Sequence, residues 1–265
     1  MQLPDPSCPE PMNLSKSAPA VSAALLLAST PLRAGPADEL IAKGDAYYDQ
    51  LNAHESLKCY LPAEKLEPDN VRLLVRISRE YRHLMSDVSS PVEKLRLGNI
   101  ALAYAKRAAA LGPDDSDAQL AVAICYGKLQ PEETNAEKLE TSRIIKSEAE
   151  KAIKLDPNSD LAWHVLGRWN MGFAEITGVK RALGELMYGK MPVTTYEDAA
   201  KCFERAIELK PDCPMHSVEL GRVYAQMGRK EEARQLIAKG LAMKETEKDD
   251  PETKRRGEEE LAKLR

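Results

Sequence analysis

Trp163-His164-Val165-Leu166-Gly167-Arg168-Trp169 is the stretch whose reading decides the fold. A Trp with Leu-Gly three residues on, followed downstream by Ala199, Phe203, Ala206 and Pro211, marks two antiparallel helices joined as a hairpin. Each residue has a mechanical task. Gly167 carries no side chain, so a second helix can approach closely. Trp163, Leu166, Phe203 and Ala206 are expected to fill the seam, and Pro211 stops the second helix. The chain between Asn170 and Ala199 is longer than such a hairpin needs, which predicts an insert.

The closing proline recurs. Pro68, Pro113, Pro157 and Pro211 follow Lys65-Leu66-Glu67, Ala110-Leu111-Gly112, Lys154-Leu155-Asp156 and Glu208-Leu209-Lys210, at spacings of 45, 44 and 54 residues. Against the tetratricopeptide unit of about 34 residues, the surpluses place loops of different length inside otherwise similar helix pairs. The first helices repeat a small residue and then an aromatic: Gly44 and Tyr47, Ser78 and Tyr81, Ala123 and Tyr126, Gly221 and Tyr224. The expected fold is all-α: a right-handed α–α superhelix of about five tetratricopeptide-like pairs. The pairs fall at about 37–70, 71–115, 116–159, 160–213 and 214–247, with a charged capping helix over 249–265. Ala, Leu, Glu and Lys dominate and aromatics are only 5% of the chain, which suits helices throughout.

Residues 1–36 read as a leader outside this array. Lys16, a short apolar run from Val21 to Ala28 and small residues before Gly35 have the layout of a secretory signal, with Met12 as an alternative start. That leader predicts an exported or periplasmic protein. Otherwise the compartment is the cytoplasm and cytoskeleton or the mitochondrion. The run is too short to span a bilayer comfortably. Beyond Cys8, the four cysteines Cys59, Cys125, Cys202 and Cys213 show no metal-ligand spacing and read as small apolar seam residues.

Phe173 to Met191, the repeat-four insert, has apolar residues at three- and four-residue steps and reads as an amphipathic helix that plugs or extends the core. The alternative is a lipid-touching segment, with Phe173, Leu183, Leu186 and Met187 as apolar contacts. In a superhelix of this kind the first helices line the concave side. There Arg72, Arg76, Arg79, Arg82 and His83 form one helical stripe, joined by Lys128, His164, Arg168 and Arg222 from later repeats. Asp38, Asp45, Asp49, Asp117 and Glu219 stand against them. Guanidinium forks grip carboxylate or phosphate in bidentate fashion, so the stripe is a candidate anion-binding groove. The competing reading pairs these arginines internally with Glu80, Glu93 or the early aspartates.

Net charge is −4 and the pI is near 5.8, which argues against a general nucleic-acid binder. No zinc-protease, nucleophile-elbow, phosphate-loop or dinucleotide motif is present, so neither an enzyme nor a cofactor is expected.

Leu166-Gly167-Arg168-Trp169, Phe173-Ala174-Glu175, Arg181-Ala182-Leu183 and Met191-Pro192 through Thr195-Tyr196-Glu197-Asp198-Ala199 closely resemble the regulator of microtubule dynamics family. So do the helix from Arg72 to Arg82 and Tyr104-Ala105-Lys106-Arg107-Ala108. The resemblance spans roughly residues 38–264. It implies a non-enzymatic, all-helical adaptor associated with microtubules, whose partner is an acidic or carboxylate-terminated protein segment such as a tubulin tail. One branch of the family tethers endoplasmic reticulum to mitochondria and handles phospholipid, which implies a phospholipid-binding alternative with the headgroup on the groove arginines.

Overall fold

The structure is a computed structural model describing residues 35–264, so the leader and Cys8 lie outside the described residues except for Gly35 and Pro36. The described residues form twelve α-helices, one 3-10 turn and no strand. Five pairs follow in order: α1 (Pro36–Tyr48) with α2 (Ala53–Leu66), α3 (Val71–Asp87) with α4 (Pro91–Leu111), and α5 (Ser116–Leu129) with α6 (Asn135–Leu155). Then come α7 (Asp160–Ala174) with α9 (Tyr196–Leu209), and α10 (Pro214–Gln226) with α11 (Lys230–Ala242). The insert contributes α8 (Gly178–Tyr188), and α12 (Asp250–Lys263) ends the array.

Local chemistry fixes the helix starts. Asn52, Asn70, Ser90, Asp115, Thr134, Ser159 and Thr195 each accept a hydrogen bond from the backbone N–H three residues on. At Thr134 and Thr195 the bond is reciprocated by Glu137 and Asp198 as a capping box.

The seams are set by size. A Cβ on Gly44 would lie 2.3 Å from the Tyr60 ring, one on Gly167 2.9 Å from Phe203, and one on Gly221 2.6 Å from Ile237. Helices one and two of a pair therefore touch at a residue with no side chain, against a fully buried large one. In the second pair Ser78 takes this place and its hydroxyl donates to the Ala101 carbonyl, at 2.9 Å. First helices also pack on one another, α3 on α5, α5 on α7 and α7 on α10, while no two successive second helices do so extensively. The stack therefore curves with its first helices on the inside. α12 closes the far end on α10 and α11, where Gly257 meets Val218 and Ile237.

Three expectations are corrected. Trp169, not Trp163, is the buried tryptophan: its indole N–H donates to the Ser142 carbonyl, while Trp163 stays half-buried at the edge. Phe173 belongs to α7 and packs 4.8 Å from Trp169, ring centre to ring centre, which removes it from any lipid-facing surface. And α8 does not plug the core. No residue of it is fully buried: Tyr188 at its end, with Ile176 and Met191 on either side of the helix, extends the Trp169–Phe173 cluster, while Val179, Leu183, Leu186 and Met187 face outward at 76%, 54%, 83% and 67% exposure. The reason is phase. α7 stops at Ala174 and a positive-φ Gly178 restarts the helix, so the stripe that began at Phe173 is not continued on the same side. α8 is held by Arg181, which donates to the Pro192 carbonyl, and by Met191 lying against Gly184. No described helix is long and apolar enough to cross a membrane. All four described cysteines are buried and unpaired by disulfide.

Candidate functional site: the inner wall

The basic stripe of α3 lies on the inner wall, but its members have different fates. Arg72 is exposed and makes no ion pair with a described residue. Arg76 forks onto Asp45 of α1, at 2.8 and 3.3 Å, and the same carboxylate accepts from the Tyr60 hydroxyl at 2.6 Å. Arg79 lies flat over Tyr48, its guanidinium carbon 3.4 Å from the ring centre, and its Nε reaches the buried Glu80 at 3.1 Å. Such stacking with a partly desolvated ring is worth about 1–2 kcal/mol. Arg82 is 8% exposed, its Nε has no hydrogen-bond partner, and no carboxylate among the described residues pairs with it. A buried guanidinium without counter-charge is costly, which makes this the most unusual position on the wall.

The wall is crossed by a segment far away in sequence. Between α11 and α12, residues 243–249 leave the fifth pair and reach across to the first three. The Tyr48 hydroxyl donates to Glu247 at 3.0 Å, and His83 lies 3.6 Å from the same carboxylate while stacking on Tyr48. The Ser86 hydroxyl and Lys128 both donate to Asp249, at 2.8 and 2.5 Å, and Lys248 pairs with Asp87 at 2.9 Å. Asp250, fully buried, shapes the crossing by accepting the backbone N–H groups of Thr246 and Glu247, at 2.7 and 2.9 Å.

Charge states follow from these contacts. Burial opposes charge on His83, yet hydrogen bonds to Glu247 and Glu80 hold its pKa above the ordinary value. Burial likewise works against ionised Glu247, but His83 and Tyr48 hold its pKa below the ordinary one. The groups facing this contact are Arg79, Glu80 and Arg82 from α3, Tyr48 from α1, and Asp249 from the segment itself. The sign of each shift defines a window. The Glu247 contribution is complete above the ordinary glutamate value of about 4.3 and lost as pH falls through its lowered pKa. The His83 contribution is complete below about 6.5 and lost as pH rises through its raised pKa. Hydrogen exchange at Thr246 and Glu247, whose amides donate to Asp250, followed from pH 5 to pH 9 and corrected for intrinsic rate, is expected to lose protection on the alkaline side. His83→Gln removes that step, and a pH-independent protection factor would contradict the assignment.

The later positions of the predicted stripe are neutralised within the fold. Glu219 is completely buried, and Arg222, Arg256 and Arg168 converge on it at 2.5, 3.0 and 3.4 Å, from α10, α12 and α7. Burial would raise its pKa, but the three guanidinium groups bring it down to about 2. His164 does not face the groove as expected. It is buried edge-on to Phe203 at 5.3 Å, with its Nδ1 3.0 Å from that of His216, and burial together with His216 drives its pKa well down, keeping it neutral. Its place in the helix explains this: one turn before Arg168, three residues before Gly167, it lies in the α7–α9 seam.

Asp160, Cys213 and His216 bring three donor atoms within 4.8 Å of one another. His216 is engaged by Asp160 at 2.8 Å and by His164, and burial pushes the Cys213 thiol up to about 12, so the trio acts as a hydrogen-bonded joint between α7 and α10.

Sequence reasoning thus locates the α3 stripe and Lys128 but misses the crossing segment and Arg256. The available signal was the acidic run Glu245 to Asp250 between two helical segments, opposite in charge to α3.

Comparison with known proteins places this geometry. The chain is 31% identical over 196 residues to Regulator of microtubule dynamics protein 1 of Mus musculus, covering 73% of this chain and 63% of that protein. It is 34% identical over 158 residues to the Rattus norvegicus protein of the same name, covering 59% and 50%. The chain therefore spans from half to just under two thirds of the length of these relatives. Among solved structures, a thermophilic TPR protein of Thermus thermophilus superposes with a TM-score of 0.61 at 20% identity, over 85% of this chain and 99% of that one, which shows the fold. The family model described as Regulator of microtubule dynamics protein 1-3 matches residues 40–265. A tetratricopeptide superhelix matched by that model along almost its whole described length belongs to the regulator of microtubule dynamics family.

Proposed function

We propose that this chain is a non-enzymatic scaffold whose inner wall binds an acidic protein segment, and that the segment belongs to a microtubule-related partner such as an acidic tubulin tail. The observation that carries the reading is the surplus of cations on α3. Arg72 and Arg82 have no carboxylate partner among the described residues, whereas Arg76 and Arg79 are already engaged. Lys128 and His83 adjoin these positions on the α5 side but are held by Asp249 and Glu247 of the crossing segment. Arg168 and Arg222 serve Glu219 instead and drop out of the binding surface. Fluorescence anisotropy with a labelled glutamate-rich peptide tests this. Binding is expected to weaken at least tenfold between 50 and 200 mM salt, as screening shortens the reach of exposed charges, and to weaken at least tenfold in R72E/R82Q. Equal affinity in the variant would exclude the reading.

A second reading rests on a separate surface. α8 presents an outward apolar face, and a separate cleft of about 710 Å³ is lined by Trp163, Leu166, Trp169, Val193 and Cys202, with Lys146 and Lys201 beside Glu150 and Asp198 on its lining. A cleft of that size holds part of an acyl chain, and an exposed Leu–Met face suits a membrane surface. The contact set is then Leu183, Leu186 and Met187 without Phe173. Flotation with phosphatidylcholine–phosphatidylserine vesicles, lost in L183E/L186E, is the expected outcome. Flotation that survives the double change counts against it.

A further inference from the structure

We propose that residues 244–250 are a built-in occupant of the inner wall, and that the partner replacing them is a peptide presenting two carboxylates two residues apart in a turn. The inference rests on the reading of the wall as an acceptor of acidic segments, and it names what that segment must look like.

The run Lys244-Glu245-Thr246-Glu247-Lys248-Asp249-Asp250 carries four carboxylates against two ammonium groups. Two of the four leave their own end of the array to meet the wall. Glu247 occupies a subsite made by Tyr48 and His83, from α1 and α3, and Asp249 occupies one made by Ser86 and Lys128, from α3 and α5. Each subsite thus pairs a hydroxyl donor with a basic side chain, and the two straddle successive first helices. Such a pair of mixed clamps reads carboxylates at a fixed separation, and the turn closed by Asp250 sets that separation.

The contact is built to be exchanged. It is made of hydrogen bonds and ion pairs, with Glu247 and Asp249 side chains 25% and 34% exposed; Asp250 alone of the run is fully buried, and the run carries no apolar side chain to pack. The attraction in such half-buried pairs is largely offset by the desolvation of both groups, so each contributes little net. What keeps the segment in place is its tether: α12 is packed on α10 and α11 through Gly257 and Leu264, so the segment faces the wall at the effective concentration of an intramolecular ligand, on the millimolar scale. A free peptide with the same two carboxylates competes at a handicap set by that concentration, and a longer partner that adds contacts to Arg72 or Arg82 overcomes it.

The test uses the full chain and a fluorescein-labelled peptide of sequence Lys-Glu-Thr-Glu-Lys-Asp-Asp. E247Q/D249N removes the two seated charges while keeping the side-chain shapes. The variant is expected to bind the peptide at least tenfold more tightly than the unaltered chain, and a peptide with its carboxylates four residues apart is expected to bind the variant at least tenfold more weakly. Equal binding by both chains would overturn the occupant and leave the acidic-segment reading standing. Binding by neither, with the glutamate-rich peptide also failing, would remove both. Indifference to carboxylate spacing would overturn the assigned pattern. Should the variant melt at a different temperature, hydrogen exchange on the unaltered chain decides: saturating peptide should accelerate exchange at Thr246 and Glu247, whose amides are hydrogen-bonded within the segment, and unchanged rates would overturn the proposal.

Discussion

Glu219→Gln is expected to destabilise the array by about 3–5 kcal/mol and to lower its melting temperature by roughly 10 °C. The carboxylate is fully buried and is the common counter-charge of Arg222, Arg256 and Arg168. Neutralising it strands guanidinium groups that the fold has partly removed from water. Arg222 and Arg256 suffer most, being about a fifth exposed, while half-exposed Arg168 can turn to solvent. Acid reads the same interaction. A glutamate depressed to about 2 contributes stability that is complete above its unfolded value and disappears as pH falls from about 4.3 toward 2; that interval amounts to about 3 kcal/mol. Because Arg256 comes from α12, the loss is expected first in the last pair and its cap, seen as faster amide exchange in α10 and α12. A variant within about 1 kcal/mol of the unaltered chain would show that the three arginines are solvated independently of Glu219.

Much of this architecture could be read from the chain because its determinants are local. The closing prolines, the capping residues and the Gly167–Phe203 type of contact act within one helix pair, so spacing alone reveals them. The reading failed where one residue type served two purposes. Arginines at three- and four-residue steps look alike on a helical wheel, yet Arg76 is bound to Asp45, Arg79 lies on Tyr48 and Arg82 has no carboxylate partner among the described residues. Arg222 and Glu219 are three residues apart on α10, a spacing the sequence does show. Arg168 and Arg256 reach the same carboxylate only when α7 and α12 are brought against α10, and nothing in the sequence near them signals it. Tyr48 and Glu247 are 199 residues apart, and Lys128 and Asp249 are 121 apart, separations at which no periodicity carries information. The insert misled for another reason. Its apolar spacing identifies a helix correctly, but spacing does not say which way the stripe faces once Gly178 resets the backbone.

Phe203→Ala is the second large effect, expected at about 3–5 kcal/mol from lost burial and the void left behind. Phe203 is completely buried between α7 and α9, against Gly167 on one side and the edge of His164 on another. Its size and the bareness of Gly167 are two halves of one device, and that makes the substitutions non-additive. Gly167→Ala alone places a Cβ 2.9 Å from the Phe203 ring, closer than real Cβ contacts come, and the ring is completely buried, so the clash falls on packed neighbours. Overpacking of this kind costs about 1–3 kcal/mol, offset in part by the better helix propensity of Ala. In the double variant the ring is gone, the new methyl enters the vacated space, and the propensity gain is realised without the clash. Gly167→Ala should therefore change from destabilising in the parent to neutral or stabilising in the Phe203→Ala background, by urea or thermal unfolding. Strict additivity would mean that the two helices meet at this point without touching through these residues, and the repeat signature that begins at Trp163 would then need a different physical explanation.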